Sequence, residues 1–188
     1  MKTIAFVTRV HPKRPNMLKV CVDSIKSQTS DDYIHILHRD DKTKDGYGLH
    51  LANQSFAKIS PIDARYVMVL DDDDKLIDPN FVKVFGKIIN KDNPEIVFFK
   101  GKIVGKKTYP KEQHWGGRPR RRFIASFCFA VRLDIWEKYI HKWGNKHCGD
   151  YFFISACYKN TKKHFWFDRR VAQTQKRAGH CKGEHEHD

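Results

Sequence analysis

No apolar stretch of this chain approaches the roughly 20 residues that a membrane-spanning helix requires. The opening Met1–Val7 is too short for the apolar region of a secretory signal, and Arg9 and His11 follow it closely. It reads as a first strand, and a cytoplasmic protein is expected. No GxGxxG follows that strand and no GxxxxGK[ST] occurs, which argues against dinucleotide binding and against a P-loop. The five cysteines are an odd number with no CxxC pair, so reduced thiols are the simplest reading. Internal repeats are missing as well. Acidic residues are scarce: 22 Asp and Glu stand against 36 Lys and Arg, a net charge of +14. Such an excess implies an acidic partner, whether nucleic acid, anionic membrane or a phosphorylated substrate.

What is present suits one folded domain. The chain has 188 residues, 40% hydrophobic and 13% aromatic, enough for a substantial core. We expect the domain to span residues 1–180, followed by a disordered tail at 181–188. Thr3–Val10 reads as a strand, and Pro15 opens a helix with Leu18, Cys21, Val22 and Ile25 on one face. Tyr33–His38 is a second strand and Leu49–Ala57 a short helix. Arg65–Leu70 is a third strand. Asp78-Pro79 starts a helix, with Asp78 as its N-cap and Val82, Phe85, Ile88 and Ile89 as its buried face. Glu95–Phe99 is a fourth strand. This βαβαβαβ order predicts an α/β fold with a mostly parallel sheet. Beyond it the pattern is looser: a strand over Lys102–Tyr109, an exposed basic loop over Lys111–Arg122, a strand over Phe123–Val131, helices over Asp134–Lys142 and Tyr151–Lys159, and a late strand at His164–Phe167.

The most informative segment is Asp71-Asp72-Asp73-Asp74, directly after the apolar run Tyr66–Leu70. Four adjacent carboxylates repel one another and raise one another's pKa. A solvated acidic turn is one reading. The other is a site for Mg²⁺ or Mn²⁺, which take oxygen ligands. The carboxyl end of a buried strand is where open α/β sheets bind ligands, and that favours the metal. The opposite charge gathers between Lys100 and Arg122, where nine Lys and Arg face the single acid Glu112.

The order of these motifs resembles the GT-A glycosyltransferases, in particular the inverting family 2-like enzymes. Ser24–Gln28 resembles part of the opening unit, Asp40-Asp41 the base-binding carboxylates, and Leu70–Asp74 with Asp78-Pro79 the DxD segment. Phe123–Trp136 resembles the strand and helix before the catalytic acid. Gly149-Asp150 sits where the family's Glu-Asp pair lies, and His180 where a late metal-binding histidine lies. The chain departs from the pattern in carrying Gly149 instead of that Glu. It also has no QxxRW, only Gln173-Thr174-Gln175-Lys176-Arg177, which argues against a processive polysaccharide synthase.

The resemblance implies a GT-A fold and a nucleotide-sugar donor, UDP-linked, with Mn²⁺ or Mg²⁺ as cofactor. It implies Asp73 as direct metal ligand, Asp71 as contact to the ribose or to the metal through water, and Asp72 and Asp74 as contacts to the sugar or caps of the next turn. Asp40 or Asp41 would accept a hydrogen bond from a base N–H; each is equally readable as a turn residue. Asp150 would be the general base of inverting transfer, where its own sequence context reads as a helix N-cap. His180 would complete the metal site, against a background of eleven histidines. A zinc site from His147-Cys148 and His180-Cys181 matches no standard spacing. The basic segment points to an anionic acceptor: a hydroxylated base in DNA, an anionic glycan or a lipid phosphate. Trp115 reads either as a stacking platform for a sugar or base or as a partly buried loop residue. A catalytically inactive GT-A-like fold that binds nucleic acid is the alternative from another class.

Overall fold

Strand β1 (Lys2–Arg9) is buried along nearly its whole length and is the axis on which the sheet is laid. The computed structural model describes residues 1–39, 56–106, 108–144 and 148–177. Asp40, Asp41, His180 and the expected 181–188 tail lie outside the described residues, as does most of the expected Leu49–Ala57 helix. After β1 come helix α1 (Pro15–Lys26), β2 (Tyr33–His38), a short 3-10 turn at Phe56–Lys58, β3 (Ala64–Val69) and the three-residue β4 (Asp74–Leu76). Then follow α2 (Phe81–Asp92), β5 (Ile96–Val104), β6 (Thr108–Tyr109), β7 (Phe129–Arg132), α3 (Leu133–Tyr139), α4 (Gly149–Lys159) and β8 (His164–Arg177).

The eight strands of the described residues join one sheet in the order β2-β1-β3-β7-β5-β8-β4, with β6 on β5. The ladders β1–β2, β1–β3 and β5–β8 are parallel and hold most of the paired residues. The β3–β7, β5–β7, β5–β6 and β4–β8 ladders are antiparallel. The result is a mixed, mostly parallel sheet flanked by helices. Strands of its centre are apolar on both faces because helices cover both. On α1, Met17, Cys21 and Ile25 are buried, a single stripe at helical spacing. On α2 the buried set is Phe81, Val82, Phe85 and Ile89. A second aromatic cluster, with Phe56, Trp136, Trp143 and Phe153 in mutual ring contact, closes the other face.

Three expectations are corrected. The α2 helix begins at Phe81, not at Asp78; Asn80 holds the N-cap position, and the buried Asp78 carboxylate accepts the Asn80 amide and pairs with Arg169. Strand β5 runs five residues past Phe99 because Gly101 has no side chain: a Cβ there would strike the Phe127 ring lying across the strand. Strand β8 continues from His164 to Arg177, with the polar Gln173–Gln175 segment inside it.

Candidate active site

Strand β3 ends at Val69, and the Leu70 amide still donates to Val7 O, 3.0 Å away. There the chain turns. The Asp74 amide donates back to Asp71 O at 2.9 Å, and β4 starts at once. This turn decides where the four carboxylates go. Asp71, Asp73 and Asp74 each offer an oxygen within 4.8 Å of the others and line one cavity of about 600 Å³. Asp72 stands apart from this group, on the other side of the turn. It is buried, accepts the His11 amide and takes Arg14 Nη1 at 3.2 Å. Asp72, expected to contact the sugar or cap the next turn, is placed against Arg14 and the His11 amide and does not line the cavity.

Cations hold the turn. Arg9, the last residue of β1, grips Asp71 with two donors, Nε at 2.6 Å and Nη2 on the other oxygen. Ser126 Oγ donates to the same carboxylate at 3.3 Å. Arg14 lies between Asp72 and Asp73, its Nη1 3.1 Å from Asp73 Oδ2. Paired charge-assisted bonds of this kind fix geometry as well as energy. A third brace comes from β8. The Gln175 amide donates to Asp73 O at 2.7 Å, and its side-chain nitrogen lies 2.8, 3.0 and 3.1 Å from Met17 O, Asp72 O and Asp74 O. No motif or periodicity singles out Gln175. Arg9 did offer one: parallel neighbours β1 and β3 end side by side, so a cation closing one faces carboxylates closing the other.

The carboxylates are nonetheless electrostatically strained. Burial, then the neighbouring Asp73 charge, pushes Asp72 up to about 7 against the opposing pull of the His11 amide and Arg14. Burial and the Asp71 charge raise Asp73, and burial with the charges of Asp73 and Asp71 holds Asp74 well above the usual carboxylate range. Such a group takes up either protons or a cation. Hard oxygen donors at this spacing suit Mg²⁺ or Mn²⁺. Asp73 and Asp74 fit as ligands, with Asp71 already committed in part to Arg9.

The far wall of the cavity is built by the second half of the chain. Arg122, Phe123, Ser126, Phe127, Trp143 and Asp150 line it, together with Lys106 and Tyr109. Arg122 adopts a left-handed φ of 67°, uncommon for a residue with a side chain. Asp150 lies in the first turn of α4, two residues past the N-cap, which is Cys148 and not Asp150. One Asp150 oxygen accepts the Tyr151 amide at 2.8 Å, and a carboxylate is favoured at this end of the helix dipole. Beside it, Gly149 packs flat against Trp143; a Cβ at 149 would fall inside contact distance of Trp143 Cδ1, O and Nε1. No glutamate fits there, and this explains the departure from Glu-Asp. The structure therefore brings Asp71, Asp73, Asp74 and Asp150 to one cavity. Trp115 is partly buried: its ring meets the Trp166 ring at 5.0 Å and carries Lys100 Nζ at 4.8 Å.

Solved structures with the same arrangement of strands and helices are numerous. S. aureus TarS 1-349 superposes with a TM-score of 0.70 at 12% identity, covering 93% of this chain and 60% of that one. The fold is GT-A. The complex of TarS 1-349 with UDP-GlcNAc gives a TM-score of 0.69 at 12% identity over 96% of this chain and 60% of that one. A glycosyltransferase involved in glycosylation of the major capsid of PBCV-1 gives 0.57 at 10% identity, with 92% of each chain covered. The structural neighbours of this GT-A chain are thus glycosyltransferases, and TarS has been seen with both UDP-GlcNAc and UDP. This chain spans about 60% of the TarS 1-349 length. No family model matches its sequence, and no curated protein does.

Proposed function

We propose that this chain transfers a sugar from a UDP-linked donor to a hydroxyl of an anionic acceptor, with inversion at the anomeric carbon. The observation that carries this reading is the joint lining of one cavity by Asp71, Asp73, Asp74 and Asp150 in a GT-A fold. The TarS complexes with UDP-GlcNAc and UDP support the choice of donor.

A divalent cation, Mn²⁺ or Mg²⁺, would stabilise the charge of the departing diphosphate. Asp73 and Asp74 hold it in this reading. Arg9 fixes Asp71 for the ribose side of the donor, and Arg122 and Lys106 face the cavity as counter-charges for phosphate. Asp150 is the general base. The acceptor oxygen bonds to the anomeric carbon as the bond from that carbon to the β-phosphate oxygen breaks. The bond's electron pair leaves with UDP, and the hydroxyl proton passes to the Asp150 carboxylate. Asp40 and Asp41 are assigned to the base and His180 to the metal by resemblance alone. No helix among the described residues is long and apolar enough to cross a membrane. The free thiols Cys21, Cys128, Cys148 and Cys157 suit the reducing, cytoplasmic setting proposed for the enzyme.

The alternative, an inactive fold that binds nucleic acid, drew on the missing Glu at 149. The packing of Trp143 supplies another reason for that glycine. UDP release from UDP-GlcNAc, with Mn²⁺ and a screen of anionic acceptors, tests the proposal. Wild type turns over, and Asp150→Asn falls about 10²–10⁴-fold, the usual worth of a general base. Equal turnover in the variant would contradict the base assignment.

A further inference from the structure

Lys100 of β5 does not line the active-site cavity, yet its ammonium is bound on three sides and its side chain is only 13% exposed. Nζ lies 2.9 Å from Glu112 Oε2, 2.5 Å from Asp168 Oδ1 and 4.8 Å from the centre of the Trp115 ring. An irregularity in the β5–β8 ladder supplies one of these partners. Phe99 pairs with Phe167 but Lys100 with Arg170, so Asp168 and Arg169 are extra residues on β8. A bulge of this kind re-aims side chains. Here Asp168 meets Lys100, and Arg169 meets Asp78. The other two partners belong to a basic strap, residues 111–123. Trp115 meets Trp166 edge-on at 5.0 Å, and Trp166 lies flat on the buried Phe98 ring at 4.2 Å. An aromatic column thus runs from the core to the strap, with the ammonium over its last ring.

The strap then doubles back on the part that Lys100 holds. Phe123 meets the His114 ring at 4.7 Å and carries Lys111 Nζ at 4.8 Å. Arg121 reaches the other way, over the Phe152 ring of α4 at 5.9 Å. Between these two anchors stands Arg122, at its left-handed φ of 67°, on the wall of the active-site cavity. A side chain at such a φ costs energy and persists where its surroundings fix it. The same turn, with Lys102, Lys106 and Arg170, walls a basic recess of about 500 Å³ beside the cavity. We propose that Lys100 is a positioning residue for sugar transfer. Through Glu112 and Trp115 it fixes the Lys111–His114 turn, and through Phe123 that turn sets Arg122 against the donor diphosphate. The inference rests on the transferase reading for the donor, whereas the clamp on the strap stands on packing alone. The diphosphate is charged before its bond to the sugar breaks, so a loosened strap weakens donor binding more than it slows the chemical step.

Two measurements on Lys100→Met test this. The first is acrylamide quenching of tryptophan fluorescence. Trp136 and Trp143 are buried, so the quencher reports on Trp115 and Trp166. Quenching rises in Lys100→Met and returns to wild type in Lys100→Arg, which keeps the charge between the two carboxylates. The second is turnover of UDP-GlcNAc with Mn²⁺. Lys100→Met raises the donor KM about fivefold with kcat within about twofold, and Lys100→Arg restores it. In an Arg122→Ala background the Lys100→Met change adds nothing further. Glu112→Gln/Trp115→Ala cuts the link from the strap side without touching β5 and shifts KM in the same direction. The control Lys87→Met, on the exposed face of α2, leaves both readouts at wild type. Unchanged quenching in Lys100→Met would overturn the clamp. A full KM effect in the Arg122→Ala background, or a fall in kcat alone, would overturn the route through Arg122. An equal effect of Lys87→Met would overturn the site in favour of net charge. Wild type that neither binds nor turns over UDP-GlcNAc would overturn the donor reading, and the quenching comparison would still decide the clamp.

Discussion

The acidic wall of the candidate active site and the basic recess beside it are built on opposite principles. The acidic end is over-determined: Arg9, Arg14, Ser126 and Gln175 all fix the Asp71–Asp74 turn, and Asp72 and Asp74 are almost fully buried. The basic end, Lys102, Lys106 and Arg170, is exposed and carries no such scaffold. A donor diphosphate and its metal demand fixed oxygen positions, and rigid neighbours supply them. Solvated cations such as these add positive charge at little cost in stability. Changes at the acidic end should therefore cost stability and function together, and changes at the basic end function alone.

The largest effect should come from Asp150→Asn, which removes the proposed base from a wall that is otherwise intact. The rate loss given above should appear with UDP affinity close to wild type, since Asp150 acts on the acceptor side. Next is Gly149→Glu, which restores the Glu-Asp order expected by resemblance. Trp143 leaves no room, so overpacking should cost about 3 kcal/mol in denaturant unfolding, with no gain in transfer. Wild-type stability in that variant would mean that the wall around Trp143 is as adaptable as the basic end. Gln175→Leu comes third. It strips a donor from Met17 O, Asp72 O and Asp74 O and should cost about 2 kcal/mol and weaken Mn²⁺ binding in calorimetry. Stability loss without metal loss would separate the brace from the site.

The smallest effect is pH-dependent and sits away from both ends. Burial, with Lys26 adding to it, lowers His35 from 6.5 to about 4, and its Nε2 lies 2.8 Å from Thr8 Oγ1. The unfolded chain takes up the proton first. Stability from this group is therefore full above about pH 6.5, declines as pH falls, and levels off near pH 4. Thermal melts of wild type against His35→Gln should show this part of the acid slope disappear. An unchanged slope would refute it.

Much of this contrast could be read in the sequence, and the missing parts have physical reasons. Strands β1, β2 and β3 were visible as apolar runs, and the order of alternating strands and helices gave the α/β class. The carboxylate cluster was visible because no turn needs four aspartates. What escaped was direction. The turn after Leu70 sends Asp72 toward Arg14 and its three neighbours into the cavity, and periodicity carries no information once a strand ends. Strand β8 escaped beyond Phe167 because its exposed Asp168, Arg169 and Arg170 mask the apolar Val171 and Ala172 that continue it. Gln175 was invisible for the same reason as most long-range braces: its partners lie more than a hundred residues away.

Calorimetry of UDP binding with and without Mn²⁺, comparing wild type with Asp73→Ala, tests the central claim most directly. The account predicts binding that strengthens with Mn²⁺ in wild type and loses that metal dependence in a variant that remains folded. Identical Mn²⁺-dependent binding by both proteins would contradict it, since the carboxylate at the centre of the cluster would then hold neither the metal nor the donor.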